Sequence, residues 1–306
     1  MSMQMNILKK GVADSLQDAG RYGFQSIGIP PCGYMDYLSA QLANLILGNP
    51  IQQTVFELHF PASSISFDED ICICITGANF VPVVNEKSIE HYKPIFIKAK
   101  EQLKFIQPIH GKICYIAIKG KLNAPAWLNS QSYFSERIQT GDTFSIEKNN
   151  APLPFINGEW LDTINKHIFH PSPIRFIPGP AWNDLEETSI QALLKNSFST
   201  SIKSNRMGYK IQGDPLSLKG APNYLSSAVT KGTMQLLPNG EIIVLMADHQ
   251  TIGGYANIGQ IILVDLPKLA QMKNDIQFHW AVVSVELAQQ SYLEIQNEFH
   301  QYDKNH

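Results

Sequence analysis

The chain has 306 residues, 44% of them hydrophobic and 17% charged, with a formal net charge of −3. That length can bury a sizeable core in one large or two ordinary domains, and the lack of a basic excess argues against nucleic acid as a partner. The first ten residues lack the apolar heart of a signal peptide and no apolar run nears the roughly 20 residues that cross a bilayer, so the expected location is the cytoplasm, away from membranes.

In chain order, the first notable segment is Gln17-Asp18-Ala19-Gly20-Arg21, where Asp18 and Arg21 are close enough in sequence for an ion pair. Pro30-Pro31-Cys32-Gly33 reads as a loop. Asp36 can then cap a helix with Leu38, Leu42, Leu45 and Ile46 on its apolar face, ended by Gly48 and Pro50. Ile71-Cys72-Ile73-Cys74-Ile75 and Ile113-Cys114-Tyr115-Ile116 are strand runs. Their period of two puts Cys72 and Cys74 on one face as small hydrophobes, because no second ligand pair completes a zinc site. The polar, proline-bearing stretch 151–171 reads as a semi-rigid connector between domains at 1–150 and 172–306. Beyond it, Asn183 or Asp184 can cap a helix carrying Leu185, Ile190, Leu193 and Leu194, and Asp265 one with Pro267 in its first turn. Strands at 174–177, 241–246 and 260–264 complete a mainly β reading with a few helices.

One phrase occurs twice: Arg21-Tyr22-Gly23-Phe24 with Gly28, and Arg206-Met207-Gly208-Tyr209 with Gly213. The repetition favours two similar β domains sharing a cleft, and an arginine fork suits a carboxylate or phosphate. The densest polar constellation is Ala247-Asp248-His249-Gln250-Thr251-Ile252-Gly253-Gly254-Tyr255, directly after the apolar run 242–246. Asp248 and His249 offer acid–base groups, Gln250 and Thr251 neutral hydrogen bonds, and the glycines close backbone approach to a ligand. A polar turn at the end of a barrel accounts for the same residues. Gln235, on an alternating strand, can face either way. There is no phosphate loop, dinucleotide fingerprint or serine elbow.

The ordered set Gly11, Leu16-Gln17-Asp18, Gly20-Arg21, Gly23, Pro31-x-Gly33-x-Met35-Asp36, Gly77-Ala78-x-Phe80 and Pro178-Gly179-Pro180 resembles the biotin-dependent carboxyltransferase-like family. So do Asn205-Arg206-Met207-Gly208-Tyr209, Gly232-x-x-Gln235, Asp248-x-Gln250-Thr251-x-Gly253-Gly254-Tyr255 and Asp265-Leu266-Pro267. That family includes chains like the C-type (KipA-like) component of 5-oxoprolinase and segments like the second component of allophanate hydrolase. The resemblance implies two cyclophilin-like β-barrel domains and work beside the B-type (KipI-like) and A-type components of a 5-oxoprolinase. Together they would open 5-oxoproline to glutamate at the expense of ATP. It implies catalytic roles for Asp18, Asp248 and Gln250, and substrate contacts from Arg21, Arg206, Gln235, Thr251, Gly253, Gly254 and Tyr255, with no metal. ATP would be held here by a mode other than a phosphate loop, or on the partner.

The chain departs from the family pattern in four places. The Gly-rich stretch is shortened to Tyr133–Asp142, Ser226-Ser227 replaces a Ser-Glu step, Ile252 a threonine and Cys32 a serine. A biotin-dependent carboxyltransferase acting on urea is the competing enzyme class. Biotin is argued against by the absence of Ala-Met-Lys-Met, Gln271-Met272-Lys273 falling in a predicted helix. A non-catalytic regulator that binds a KipI-like partner is the competing binding class.

Overall fold

The run from Ile71 forms the strand Ile71–Asn79, and its period of two sorts the side chains as expected. Ile71, Ile73 and Ile75 enter the hydrophobic core, while Thr76 on the opposite face donates from Oγ1 to the Ser39 carbonyl at 2.7 Å. The structure, a computed structural model, describes residues 3–132, 138–170, 173–220 and 222–303. The expected shortened stretch falls partly on 133–137, outside the described residues.

The chain divides into two compact units. The first comprises Met1–Arg21, Cys32–Ile168 and Glu298–His306, and the second Tyr22–Pro31 and Phe169–Asn297. In the first unit a seven-stranded sheet runs Gly120–Asn123, Thr143–Lys148, Met3–Lys9, Ser64–Phe67, Gln102–Phe105, Pro82–Val84, Lys87–Ser88. A five-stranded sheet runs Ser15–Gln17, Val55–His59, His110–Ile118, Ile71–Asn79, Pro94–Ile97. Residues from both sheets, among them Met5, Ile7, Phe67, Phe56, Leu58 and Ile116, share one core. Helix α1 (Tyr37–Leu47) lies on the outer face of the smaller sheet. Its start is the expected one: Asp36 accepts from the Ser39 amide at 3.0 Å, and Gly48 ends it in the left-handed region.

The second unit is built on one seven-stranded sheet. Its order is Ser199–Thr200, Gly208–Gln212, Ile242–Leu245, Thr233–Leu236, Ala256–Ile261, Ile174–Pro178, Trp280–Val282. Only the last pairing is parallel among those described. Phe176, Phe198, Phe278 and Trp280 form its aromatic core, with ring centroids 4.8–6.2 Å apart in contacting pairs. A separate two-stranded ribbon pairs Ser227–Ala228 with Ile252–Gly253.

Several local expectations are corrected. The connector stretch contains helix α2 (Gly158–Phe169), whose Ile164 and Ile168 are buried at the i, i+4 spacing of one face. Helix α3 (Glu187–Lys195) is capped by neither Asn183 nor Asp184, which lie in a preceding 3₁₀ turn; Asp184 instead accepts from the Tyr224 hydroxyl at 2.9 Å. Asp265 stands at the N-terminus of α4 (Leu266–Gln271) without capping it, because Arg175 takes its carboxylate. Helix α5 (Val285–Asp303) was not anticipated. The repeated phrase also folds two ways. Gly23 and Gly28 adopt left-handed φ around the 3₁₀ turn Gln25–Ile27, whereas Gly208 opens an ordinary strand. A shared string of glycine and aromatic residues specifies no single backbone path when its long-range partners differ.

Candidate functional site

In the first unit the expected ion pair between Asp18 and Arg21 does not form. Asp18 leaves the strand Ser15–Gln17 and turns its carboxylate toward the segment 130–132. Oδ1 accepts from the Gly20 amide at 2.8 Å and from the Ser130 and Ser132 hydroxyls at 2.7 Å each. Oδ2 accepts from the Gln131 amide at 2.6 Å. Four donors, three on Oδ1 and one on Oδ2, tie the carboxylate to both segments, so Asp18 acts here as a clamp joining two loops.

Arg21 is 3% exposed. It donates from Nη2 to the Ser132 carbonyl and from Nη1 to Cys32 Sγ at 3.2 Å, and its guanidinium carbon lies 5.0 Å from the centre of the Trp127 ring. Its Nε has no partner, and no carboxylate pairs with it among the described residues. A buried guanidinium met only by a carbonyl, a thiol and an indole face keeps much of its positive field. Ser130, Ser132 and Trp127 were not foreseen. Asn129-Ser130 is the faint signal for them, since Leu128 and Asn129 make the left-handed turn that returns Ser130 to Trp127.

In the second unit Arg206 and Asp248 do come together. The guanidinium grips the carboxylate with both arms, Nε to Oδ2 at 2.9 Å and Nη2 to Oδ1 at 2.8 Å, and the Asp248 amide donates to the Arg206 carbonyl at 2.8 Å. His249 beside them is 2% exposed, and its Nδ1 donates to the Gln250 carbonyl 2.6 Å away. Burial holds its pKa below the ordinary histidine value, with the hydrogen bond to Gln250 opposing. The ring is therefore neutral at pH 7 with Nε2 as its acceptor. Gln250 and Gly254 are exposed, Tyr255 is half exposed, and Thr251 is buried. Gly254 and Tyr255 help wall a cavity of about 650 Å³ together with Leu216, Tyr224, Leu236 and Pro238. Hydrogen bonding to Asp184 and burial raise the Tyr224 hydroxyl, burial foremost, to about 12, so it remains a donor.

Gln235 resolves the ambiguity left by its strand. The side chain lies on the sheet face that the ribbon covers, is 1% exposed, and neither its Nε2 nor its Oε1 has a partner among the described residues. Its register partner across the sheet is Asn257, whose buried Oδ1 is likewise unpartnered. Gly253 of the ribbon lies over the Gln235 amide so closely that a Cβ there would overlap Nε2.

Among the described residues no group of three or more His, Cys, Asp or Glu side chains is placed to hold a metal ion. A hollow of about 460 Å³ in the first unit is lined by Lys98, Lys119 and Lys148. Lys148 is bound to Glu69 at 2.7 Å and Lys119 donates to the Leu47 carbonyl at 3.1 Å, so two of its three amines are engaged. No described helix is long and apolar enough to cross a membrane.

Residues 27–281 match the family model of the carboxyltransferase domain, subdomain A and B. The chain belongs to that family. Within it, the chain is 32% identical to the C component of the Haemophilus influenzae 5-oxoprolinase over 284 residues, 90% of this chain and 89% of that one. It is 29% identical to the C component of the Escherichia coli K12 5-oxoprolinase over 306 residues, 97% of each chain. Among solved structures the K. lactis urea amidolyase matches at a TM-score of 0.85 and 21% identity over 98% of this chain. The chain spans 20% of that amidolyase, and at this identity the likeness is one of fold.

Proposed function

We propose that this chain is one component of an ATP-dependent enzyme that opens 5-oxoproline to glutamate, working with partner chains of the A and B type. The observation that carries the reading is identity of 29–32% to two proteins named as the C component of 5-oxoprolinase, along nearly the whole of both chains in each case. The chemistry of the assembled residues is in keeping with it. A five-membered lactam is a poor electrophile, and ATP would supply the phosphoryl group that turns its oxygen into part of a leaving group. The substrate also carries a carboxylate, for which Arg21, buried without a carboxylate of its own among the described residues, offers a matching charge. Asp248 and neutral His249 stand as the proton-handling candidates, Asp248 oriented by Arg206. The nucleotide is assigned to the partner chains, in line with the absence of a phosphate loop from this sequence and the engaged lysines of the hollow described above.

The test is co-expression with the partner chains and an assay of ATP-dependent glutamate release from 5-oxoproline. Release that falls at least about tenfold in Arg206→Ala, the equivalent of some 1.4 kcal/mol, supports both the reaction and the site. Full turnover in that variant removes Arg206 from the site. No glutamate from the intact complex overturns the proposal.

A further inference from the structure

We propose that Gln235 and Asn257 are a recognition pair for a cis amide, the group whose N–H and C=O point to the same side. The inference deepens the reading above and rests on it only for the identity of the amide as a lactam. Gln235 occupies a fully buried strand, Thr233–Leu236, yet both polar atoms of its carboxamide lack partners among the described residues. A buried amide with neither end bonded is destabilising, and a folded protein that retains one holds it for a completing partner, a ligand or an ordered water. Asn257, paired with Gln235 in register and so on the same face of the sheet, adds a second unbonded acceptor, Oδ1.

The complementarity is specific. A primary carboxamide presents a donor and an acceptor side by side. Its complement must do likewise, with the order reversed. An ordinary peptide bond fails, because it is trans and its N–H and C=O point in opposite directions. A five-membered lactam succeeds, because the ring forces the amide to be cis, and urea offers the same edge. The lactam C=O would accept from Gln235 Nε2 and its single N–H would be shared between Gln235 Oε1 and Asn257 Oδ1, whereas urea, with more N–H groups, could serve the two acceptors separately.

Two glycines shape the place. A Cβ at Gly253 would overlap Gln235 Nε2, and one at Gly179 would lie 2.8 Å from Asn257 Oδ1. Gly253 belongs to the ribbon that covers the amide, and that ribbon is joined by the register pairs Ser227↔Gly253 and Ala228↔Ile252. Its outward residues Ser227, Ala228 and Ile252 are exposed. A two-stranded ribbon of this size is marginally stable by itself, so it can lift at little cost and admit a small planar ligand.

The experiment is calorimetric titration of the full chain, alone and with its partner chains, with 2-pyrrolidone, 5-oxoproline, urea and N-methyl-2-pyrrolidone. The expected result is binding of 2-pyrrolidone and 5-oxoproline, with N-methyl-2-pyrrolidone, which lacks the N–H, at least about tenfold weaker. Gln235→Met, close in volume and apolar, should weaken lactam binding at least tenfold while raising Tm by about 2–4 °C, since it removes an unbonded polar group. That opposition of stability and binding is a readout no purely structural glutamine would give. Equal affinity of the Gln235→Met chain for the lactams, equal affinity of the wild type for the N-methyl lactam, or no cis amide bound at all would overturn the inference. Urea bound through Gln235 with no lactam bound would keep the recognition pair and sink the 5-oxoproline reading. Unchanged glutamate release by a complex carrying Gln235→Met would do the reverse.

Discussion

Arg21 and Arg206 begin the same phrase, Arg-x-Gly-aromatic, and meet opposite surroundings. Arg206 is gripped on two arms by Asp248, so the pair is close to neutral and its value lies in geometry: each group fixes the other. Arg21 is more deeply buried and has a carbonyl, a thiol and an indole face in place of a counter-charge. Asp18, three residues before it, is spent on two serines and two backbone amides. A repeated motif thus keeps a residue type and not an electrostatic role. In the first unit the positive charge of Arg21 has no carboxylate to answer it among the described residues. In the second unit that of Arg206 is already answered.

The largest expected effect tests the neutral pair. Asp248→Ala takes from a mostly buried guanidinium its carboxylate, and loss of about 3 kcal/mol of stability follows, at the low end for buried pairs because the Arg206 side chain keeps 16% exposure. Urea unfolding measures it. A double-mutant cycle with Arg206→Ala should recover a good part of the loss, since removing both charges costs less than stranding one. If Asp248→Ala unfolds at the wild-type midpoint, the pair contributes nothing and the contrast with Arg21 collapses.

Next comes Asp18. If it is a clamp, Asp18→Ala strands the Gly20 and Gln131 amides and two hydroxyls, and about 2 kcal/mol of stability is lost, less than the sum because the hydroxyls can turn to other acceptors. Asp18→Asn should recover part of it, as the amide oxygen still accepts. A catalytic Asp18 would show another pattern, with turnover lost in Asp18→Asn and the unfolding midpoint unmoved.

Arg21 itself should give a smaller change in stability, of the opposite flavour. Arg21→Met removes a buried charge that no described carboxylate compensates, so its unfolding free energy should stay within about 1 kcal/mol of wild type. Turnover of 5-oxoproline by the complex should nonetheless fall at least about tenfold. A loss of several kcal/mol would mean that the guanidinium is satisfied as it stands and is a structural element after all.

These contrasts show which parts of the molecule could be read from residues alone. The helix α1 was legible because everything that starts and stops it is local: Asp36 three residues from the Ser39 amide it caps, and Gly48 free to turn left-handed. The inward isoleucines of Ile71–Asn79 were legible because a period of two is a geometric property of any strand. The partners of Asp18 were not, since Ser130 and Ser132 lie 112 and 114 residues away in sequence. Nothing within a short window says that they outcompete an arginine three positions on. Asp265 misled for the same reason, its carboxylate drawn to Arg175 from 90 residues away instead of to its own helix. Helix α5 escaped notice because its apolar residues are scattered, with Val285, Leu287 and Leu293 exposed and Phe299 buried, so no continuous stripe stands out. Gln235 is the instructive case among the site residues. Alternation left its direction open, and only the folded ribbon over it shows it covered and unbonded among the described residues.

The smallest effect concerns pH, and it sharpens the description of the Arg206 side. Burial lowers the pKa of His249 from its ordinary value near 6.5, with the Gln250 hydrogen bond and the Asp248 charge opposing and Lys231 assisting. The folded chain therefore takes up this proton at lower pH than the unfolded chain does. Stability from this residue is complete above the unfolded pKa, and it drains away as pH falls below about 6.5, because the unfolded state binds the proton first. His91 in the first unit, brought down to about 4 by burial and by the charge of His110, contributes with the same sign over pH 6.5 to 4. The comparison is thus made in a His91→Gln background, where the remaining acid slope of the unfolding free energy should flatten further on His249→Gln. If the slope is unmoved, His249 is not held neutral by its surroundings, and its candidacy as a proton acceptor beside Asp248 goes with it.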